Sequence, residues 1–253
     1  MLIRDIIAGV GASASAIGLF WILNKLIITH ALLSLPLTEE RHTTIPTNLK
    51  AGDLVFFGSY SYSSVLIQCW TSSPYSHCGV IVDNAGTLLY HSDVNSVQLQ
   101  CQLCGSKDRG VHVHKLEEYL NAKPSEQQHQ QPPEDVVHYW QVVRPNYESN
   151  KITEELLFDL AKQSCAQELT FNESPINMLR AIIDPRIQPS SFKDARLMRF
   201  CSQHVAELWN EMAGECLSQH KTPGQCTPAD VLHFAELYNN RSARRQNISA
   251  SSH

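Results

Sequence analysis

The sequence predicts an α+β domain, an antiparallel sheet packed against helices, carried behind one N-terminal transmembrane helix. Three observations predict it. Ile6–Leu23 is an 18-residue stretch without a single charge. Asp53 to Val143 is a succession of short β-rich runs separated by turn residues, and from Thr153 onward the pattern changes to helical spacing.

About 20 apolar residues at 1.5 Å rise cross a bilayer core. Apolar character resumes beyond Lys25 with Leu26, Ile27, Ile28, Leu32, Leu33 and Leu35, and Trp21 and Lys25 suit an interfacial end. Residues 1–37 are therefore expected to be a membrane anchor. Signal-peptide cleavage near Ala12–Ala16 would leave the apolar Ile17–Leu35 as the mature start, so the anchor is the preferred reading. Arg4 on one side faces Lys25 and Arg41 on the other, which leaves orientation open: a single-pass membrane protein is expected, with the side of its domain undecided. Residues 38–48 read as a linker, 49–240 as the folded domain and 241–253 as a polar tail.

Within the domain, Asp53–Phe57 reads as a buried strand and Ser63–Trp70 as a short helix. Cys78–Asp83 is a second strand, and Asn84-Ala-Gly carries turn chemistry before a third, Thr87–His91. Val111–His114 and Val136–Val143 alternate as strands, with a helical turn at Leu116–Leu120 and a Gln/Pro-rich exposed loop at Pro124–Asp135 between them. Thr153 caps a helix with Leu156, Leu157, Leu160 and Ala161 on one face. A second helix covers Phe200–Met212, with Val205, Leu208, Trp209 and Met212 at helical spacing. Thr227-Pro-Ala-Asp opens a third: Thr caps, Pro fills the first turn and Asp230 meets the positive end.

Outside the anchor the chain holds 18 Lys+Arg against 24 Asp+Glu. Nucleic-acid affinity rests on cations meeting phosphates, so such a body is not expected to bind nucleic acid. Eight cysteines do not fix a redox compartment, and Cys216 and Cys226 could pair or remain thiols.

Cys201 stands at the predicted start of a helix. Unpaired backbone N–H groups and the helix dipole there favour a thiolate and can hold a developing oxyanion. A thiolate nucleophile needs an imidazole to take and return a proton. His77 lies at a loop-to-strand edge in Ser76-His-Cys-Gly, and His91 ends the next strand. A hairpin around Asn84–Gly86 would bring the two rings together, so that His91 orients His77 as the third member of a triad does.

Four segments together resemble the circularly permuted NlpC-type, papain-like cysteine hydrolases, a group that includes the YiiX-like proteins and, more distantly, lecithin–retinol acyltransferase-like enzymes. They are Leu49-Lys-Ala-Gly-Asp-Leu-Val-Phe-Phe, Ser73-Pro-Tyr-Ser-His-Cys-Gly-Val-Ile-Val, Phe200-Cys-Ser-Gln-His-Val-Ala-Glu-Leu-Trp and Thr227-Pro-Ala-Asp. The order, His strand before Cys helix, is the permuted one. The resemblance implies a permuted papain-like fold with Cys201 as nucleophile, His77 as base and His91 as the third polar residue, Asp93 being the alternative. Where the family usually has Cys-Ser-Glu-Leu-Val, this chain has Cys201-Ser-Gln-His-Val, which puts a second imidazole, His204, one turn from the thiol. His204 reads as a polar residue on an exposed helix face, and Asp53 as the organiser of a turn.

Cys101-x-x-Cys104 with His112 and His114 is a rival constellation with the ligand types of zinc, although positions 112 and 114 on one strand face strain joint ligation. The expected function is that of a membrane-anchored cysteine hydrolase or acyltransferase, cleaving amide or ester bonds of peptide-like or lipid acyl substrates through a Cys-acyl intermediate, with no cofactor or metal required. The alternatives are a catalytically inactive membrane-tethered binding module and a zinc-stabilised interaction domain.

Overall fold

The computed structural model describes residues 47–59, 62–93, 99–108, 110–122, 137, 139–145, 152–166, 170–171, 198–199, 201–213, 221 and 223–250. The expected anchor (1–37), the loop at Pro124–Asp135, and Cys216 lie outside these residues. No helix among the described residues is long and apolar enough to cross a membrane.

The architecture is α+β. Strands β1 (Leu54–Gly58), β2 (His77–Ile81), β3 (Leu88–Asp93), β4 (Gly110–Lys115) and β5 (Tyr139–Val143) form one antiparallel sheet in the order β4-β3-β2-β1-β5. Helix α1 (Tyr62–Thr71) joins β1 to β2, and α2 (Leu116–Asn121) follows β4 directly. Helices α3 (Glu154–Ala166), α4 (Cys201–Ala213) and α5 (Pro228–Ala250) come after the sheet, with a two-strand parallel pair, β6 (Thr170–Phe171) and β7 (Met198–Arg199), between α3 and α4. Helix α5 continues well into the segment read from sequence as a polar tail. That segment, Arg241 to Ala250, contains neither Gly nor Pro to stop a helix already capped at its start.

Both faces of the sheet are covered, which explains why β1 is a continuous apolar run rather than an alternating one. Leu54, Phe56, Val80, Tyr90, Val111 and Val113 pack beneath Leu157 and Ala161 of α3, Val205 and Trp209 of α4, and Val231 and Ala235 of α5. On the other face Val55, Phe57, Ile81 and Leu89 meet Leu116, Tyr119 and Leu120.

Short polar devices set the ends of these elements. Asp83 accepts the backbone N–H groups of Thr87 (2.9 Å) and Leu88 (2.7 Å), tightening the β2–β3 turn in which Gly86 takes φ 71°. Asp53 is buried, accepts the Lys50 N–H at 2.9 Å, and receives a two-pronged bond from Arg144 Nε and Nη2, each at 2.7 Å. The Gly-Asp pair therefore organises the turn into β1 and ties it to the end of β5. Thr227 and Asp230 exchange caps at the start of α5.

Candidate active site

The site forms where β2 begins, β3 ends and α4 begins. Parallel strand β7 runs almost directly into α4, so Cys201 sits at a strand-to-helix junction and is the first residue of its helix. Val205, Leu208 and Trp209 bury the helix against the sheet and fix the height of that first residue. The sulfur hydrogen-bonds the side chains of Cys78 and His77, the first two residues of β2, and the Cys78 backbone N–H. The late thiol and the early imidazole are thus in contact.

The β2–β3 register pairs Gly79 with His91. A Cβ at position 79 would meet Leu89 Cδ1 at 2.8 Å, the Tyr90 carbonyl oxygen at 2.9 Å and His91 Cβ at 3.0 Å. The glycine of Ser-His-Cys-Gly is therefore required by the close approach of the two strands, and that approach brings the rings together. His77 Nε2 lies 3.0 Å from His91 Nδ1, with ring planes at 81°. Nδ1 of His77 is the nitrogen left for the sulfur.

Behind His91 the chain of rings continues, for His91 Nε2 is 2.9 Å from His114 Nδ1. Asp93 Oδ2 stands 4.0 Å from His91 Nδ1, beyond hydrogen-bond distance, and takes a bond from Tyr119 OH at 3.1 Å. Of the two candidates for third residue, His91 touches His77, and Asp93 supports the shell around it. Sequence reasoning did not find Cys78 or His114 as neighbours of the site. Cys78 was visible only as the residue after His77, and His114 required the β3–β4 register, which sets Leu89 opposite it.

The electrostatics divide the groups into distinct roles. Cys201 is held well below the ordinary thiol range, first by hydrogen bonding from the Cys78 thiol and then, against the cost of burial, by the charge and hydrogen bond of His77. Cys78 is raised, chiefly by burial, and so remains the S–H donor of the pair. His91 is pushed well below the usual histidine range by burial, reinforced by repulsion from His114, His77, His112 and His204, and is neutral near pH 7. His114 is lowered to about 4 for the same first reason, with the His112 ring adding to it.

A neutral His91 donates through one nitrogen and accepts through the other. With His77 protonated, Nε2–H of His77 donates to His91 Nδ1, and His91 Nε2–H donates to His114 Nδ1. The row of rings thereby fixes which His77 nitrogen faces the sulfur.

His204 corrects an expectation. It is 4% exposed and lies edge-on to Tyr90, with ring centroids 4.6 Å apart, not on an exposed helix face. Cys201 to Ala206 are all buried, so the first turns of α4 have no exposed face, and Val205, Ala206, Leu208 and Trp209 pack in the core. Gln203, the other departure from the family pattern, donates to Glu207 Oε1 at 3.0 Å along its own helix.

Among the described residues, two groups of side chains have metal-ligand chemistry: His77, His91 and Asp93, and Cys101, Cys104 and His112. In each, the donor atoms lie within 4.8 Å of one another. In the first, the facing nitrogens of His77 and His91 are already engaged with each other. His114 is not part of the second, because its Nδ1 is turned to His91.

No family model, curated protein or solved structure matches this chain. What the site can do therefore follows from its own chemistry: a buried thiol of lowered pKa at the first residue of a helix, an imidazole against it, a neutral imidazole behind that, and the Cys78 backbone N–H beside the sulfur.

Proposed function

We propose that this protein is a cysteine hydrolase or acyltransferase of the permuted papain-like kind, acting on an amide or ester carbonyl. One observation carries the reading: Cys201, the first residue of a buried helix, hydrogen-bonds His77, whose other nitrogen is held by His91 at 3.0 Å. Nucleophile, base and orienting group thus stand in the order that covalent acyl transfer requires.

In the proposed reaction the Cys201 thiolate attacks the carbonyl carbon. The carbonyl π electrons move to oxygen, and the oxyanion is received by N–H groups of the first turn of α4. His77 gives its proton to the departing amine or alcohol as the carbon–heteroatom bond breaks, leaving an acyl-thioester on Cys201. Water or a second acceptor then loses a proton to His77 and attacks the thioester, and the sulfur leaves as thiolate. Cys78 S–H and His91 act as positioning residues, the first on the sulfur and the second on the imidazole.

A peptide-like amide or a lipid acyl group is the proposed substrate class. The N-terminal apolar segment, proposed as a single-pass anchor, favours the lipid member by holding the site beside a bilayer.

The test is mass spectrometry of the full chain after incubation with lipid and with peptide extracts. An acyl adduct on Cys201 that disappears with time in water supports the proposal. Electrophile labelling of all exposed cysteines at equal rates, with no adduct on residue 201, would favour a catalytically silent module.

His91→Ala is expected to lower kcat on the order of 10²-fold, the lower end of what acid–base groups supply. It should also displace the pH profile, because the His77 tautomer is no longer fixed. Asp93→Asn, one step further from the reacting atoms, should cost much less. Steady-state kinetics across pH distinguishes the two, and equal losses in both variants would shift the third role towards Asp93.

A further inference from the structure

We propose that Cys101, Cys104, His112 and Cys165 form a tetrahedral zinc site that fastens the β3–β4 connection and α3 to the β4 edge of the sheet. Sulfur and nitrogen donors of Cys101, Cys104 and His112 already lie within 4.8 Å of one another. The fourth ligand is proposed from a distant element: Cys165 Sγ is 4.0 Å from Cys101 Sγ, outside the three donors that already lie within 4.8 Å of one another, and closes on them when the ion binds. Two sulfurs bound to one tetrahedral zinc at about 2.3 Å stand roughly 3.8 Å apart, so the observed spacing is near that of a ligand pair. It is far from the roughly 2 Å of a disulfide.

His112 supplies an independent observation. Its Nε2 lies 2.6 Å from the Asp108 carbonyl oxygen, which can only accept, so Nε2 carries the ring proton. Nδ1 is then a bare lone pair. It is buried, meets no close hydrogen-bond donor by geometry, and has the Cys101 sulfur as its side-chain neighbour, so an ion held between sulfur and nitrogen would engage that lone pair. A ligating histidine whose other nitrogen donates to a backbone carbonyl has the tautomer and orientation that zinc requires.

The surroundings of the sulfurs agree. Cys101-x-x-Cys104 is a tight turn closed by the Gly105 N–H onto the Cys101 carbonyl at 3.0 Å, with Gly105 at φ 72°. The Val113 N–H points at Cys101 Sγ from 3.4 Å, and the backbone N–H groups of Cys104 and Ser106 bond the Cys101 and Cys104 sulfurs respectively. Such N–H groups stabilise thiolate ligands.

The placement has a structural purpose. β4 is an edge strand, and the cluster lies against it, where Gln102 N–H reaches the Val113 carbonyl at 2.7 Å and the Cys165 S–H donates to the Val111 carbonyl oxygen at 3.5 Å, a proton that ligation to zinc would displace. Three thiolates and one imidazole around a closed site suit zinc better than harder cations. The site is separate from Cys201, although the His112 ring stacks on His114 with centroids 5.2 Å apart.

The experiment is metal analysis of the full chain purified under reducing conditions without chelator, followed by cobalt titration of chelator-stripped protein. About one zinc per chain is expected, together with the visible ligand-field bands of tetrahedral, thiolate-rich cobalt. Cys104→Ser and Cys165→Ser should each reduce bound zinc at least about 10-fold, while Cys226→Ser, a buried thiol outside the cluster, retains it. The cobalt spectrum of the unsubstituted chain does not depend on any variant folding. Absence of both zinc and the cobalt bands overturns the proposal, as does a native Cys101–Cys165 disulfide. Full zinc retention in Cys165→Ser overturns the four-ligand assignment.

Discussion

Cys201→Ala abolishes acyl-adduct formation and lowers turnover by at least about 10⁴-fold, the scale on which loss of a covalent nucleophile is felt. The side chain is 3% exposed and its loss removes little volume, so the variant is expected to fold and the effect to be chemical. Cys201→Ser should be equally inactive, because the contacts that lower a thiol from about 8.5 leave an alcohol un-ionised at neutral pH. Intact-mass spectrometry and steady-state kinetics on the two variants check this. Cys226→Ser serves as the control, since its thiol is pushed up to about 12, chiefly by burial, and is inert. Turnover in the alanine variant within tenfold of the parent would remove Cys201 from the chemistry.

His77→Gln is the second large effect, and pH is its readout. In the native chain the folded pKa of Cys201 lies well below its ordinary value, with contributions from Cys78 and then His77. The thiolate therefore persists as pH falls below the ordinary thiol range, and alkylation at residue 201 should vary little between about pH 6 and 8. Removing the His77 charge raises the sulfur pKa. The alkylation rate should then climb with pH through the upper part of that interval and be at least about 10-fold slower at pH 6. Turnover should fall by on the order of 10³-fold, since the proton donor to the leaving group is also lost. Cys78→Ala separates the two causes: it should raise the sulfur pKa while leaving the acid–base group in place. An unchanged pH profile in His77→Gln would break the assigned pair.

Several parts of this site could be read directly from residues. Cys201 ahead of an apolar stripe announced a helix N-terminus, and Ser-His-Cys-Gly announced a strand edge that could hold an imidazole. The turn residues Asn84–Gly86 implied the hairpin that joins His77 to His91 at 3.0 Å. These are local signals, set by capping, alternation and turn chemistry. His204 is polar yet 4% exposed, because the first turns of α4 are enclosed on all sides, and polarity alone does not reveal that. The helical continuation of α5 to Ala250 was missed for a related reason, since polar composition does not by itself end a helix.

His114 and Cys165 carried no usable signal. His114 meets His91 only because β3 and β4 pair in one register, and a slip of one residue would turn it to the opposite face. Cys165 lies on the buried stripe of α3 with Leu157 and Ala161, which sequence spacing implies, but nothing local says that Cys101 stands across from it.

By itself, then, the amino-acid sequence determined the α+β class, the order of the five sheet strands and the longer helices, the helix start at Cys201 and the hairpin that pairs two histidines, because each depends on contacts among near neighbours along the chain. Only the tertiary structure decided that Cys201 meets His77 and Cys78, that a third imidazole backs His91, and that Cys165 stands 4.0 Å from Cys101. Those contacts join residues far apart in sequence, and their geometry is fixed by sheet register and helix packing, which no local pattern encodes.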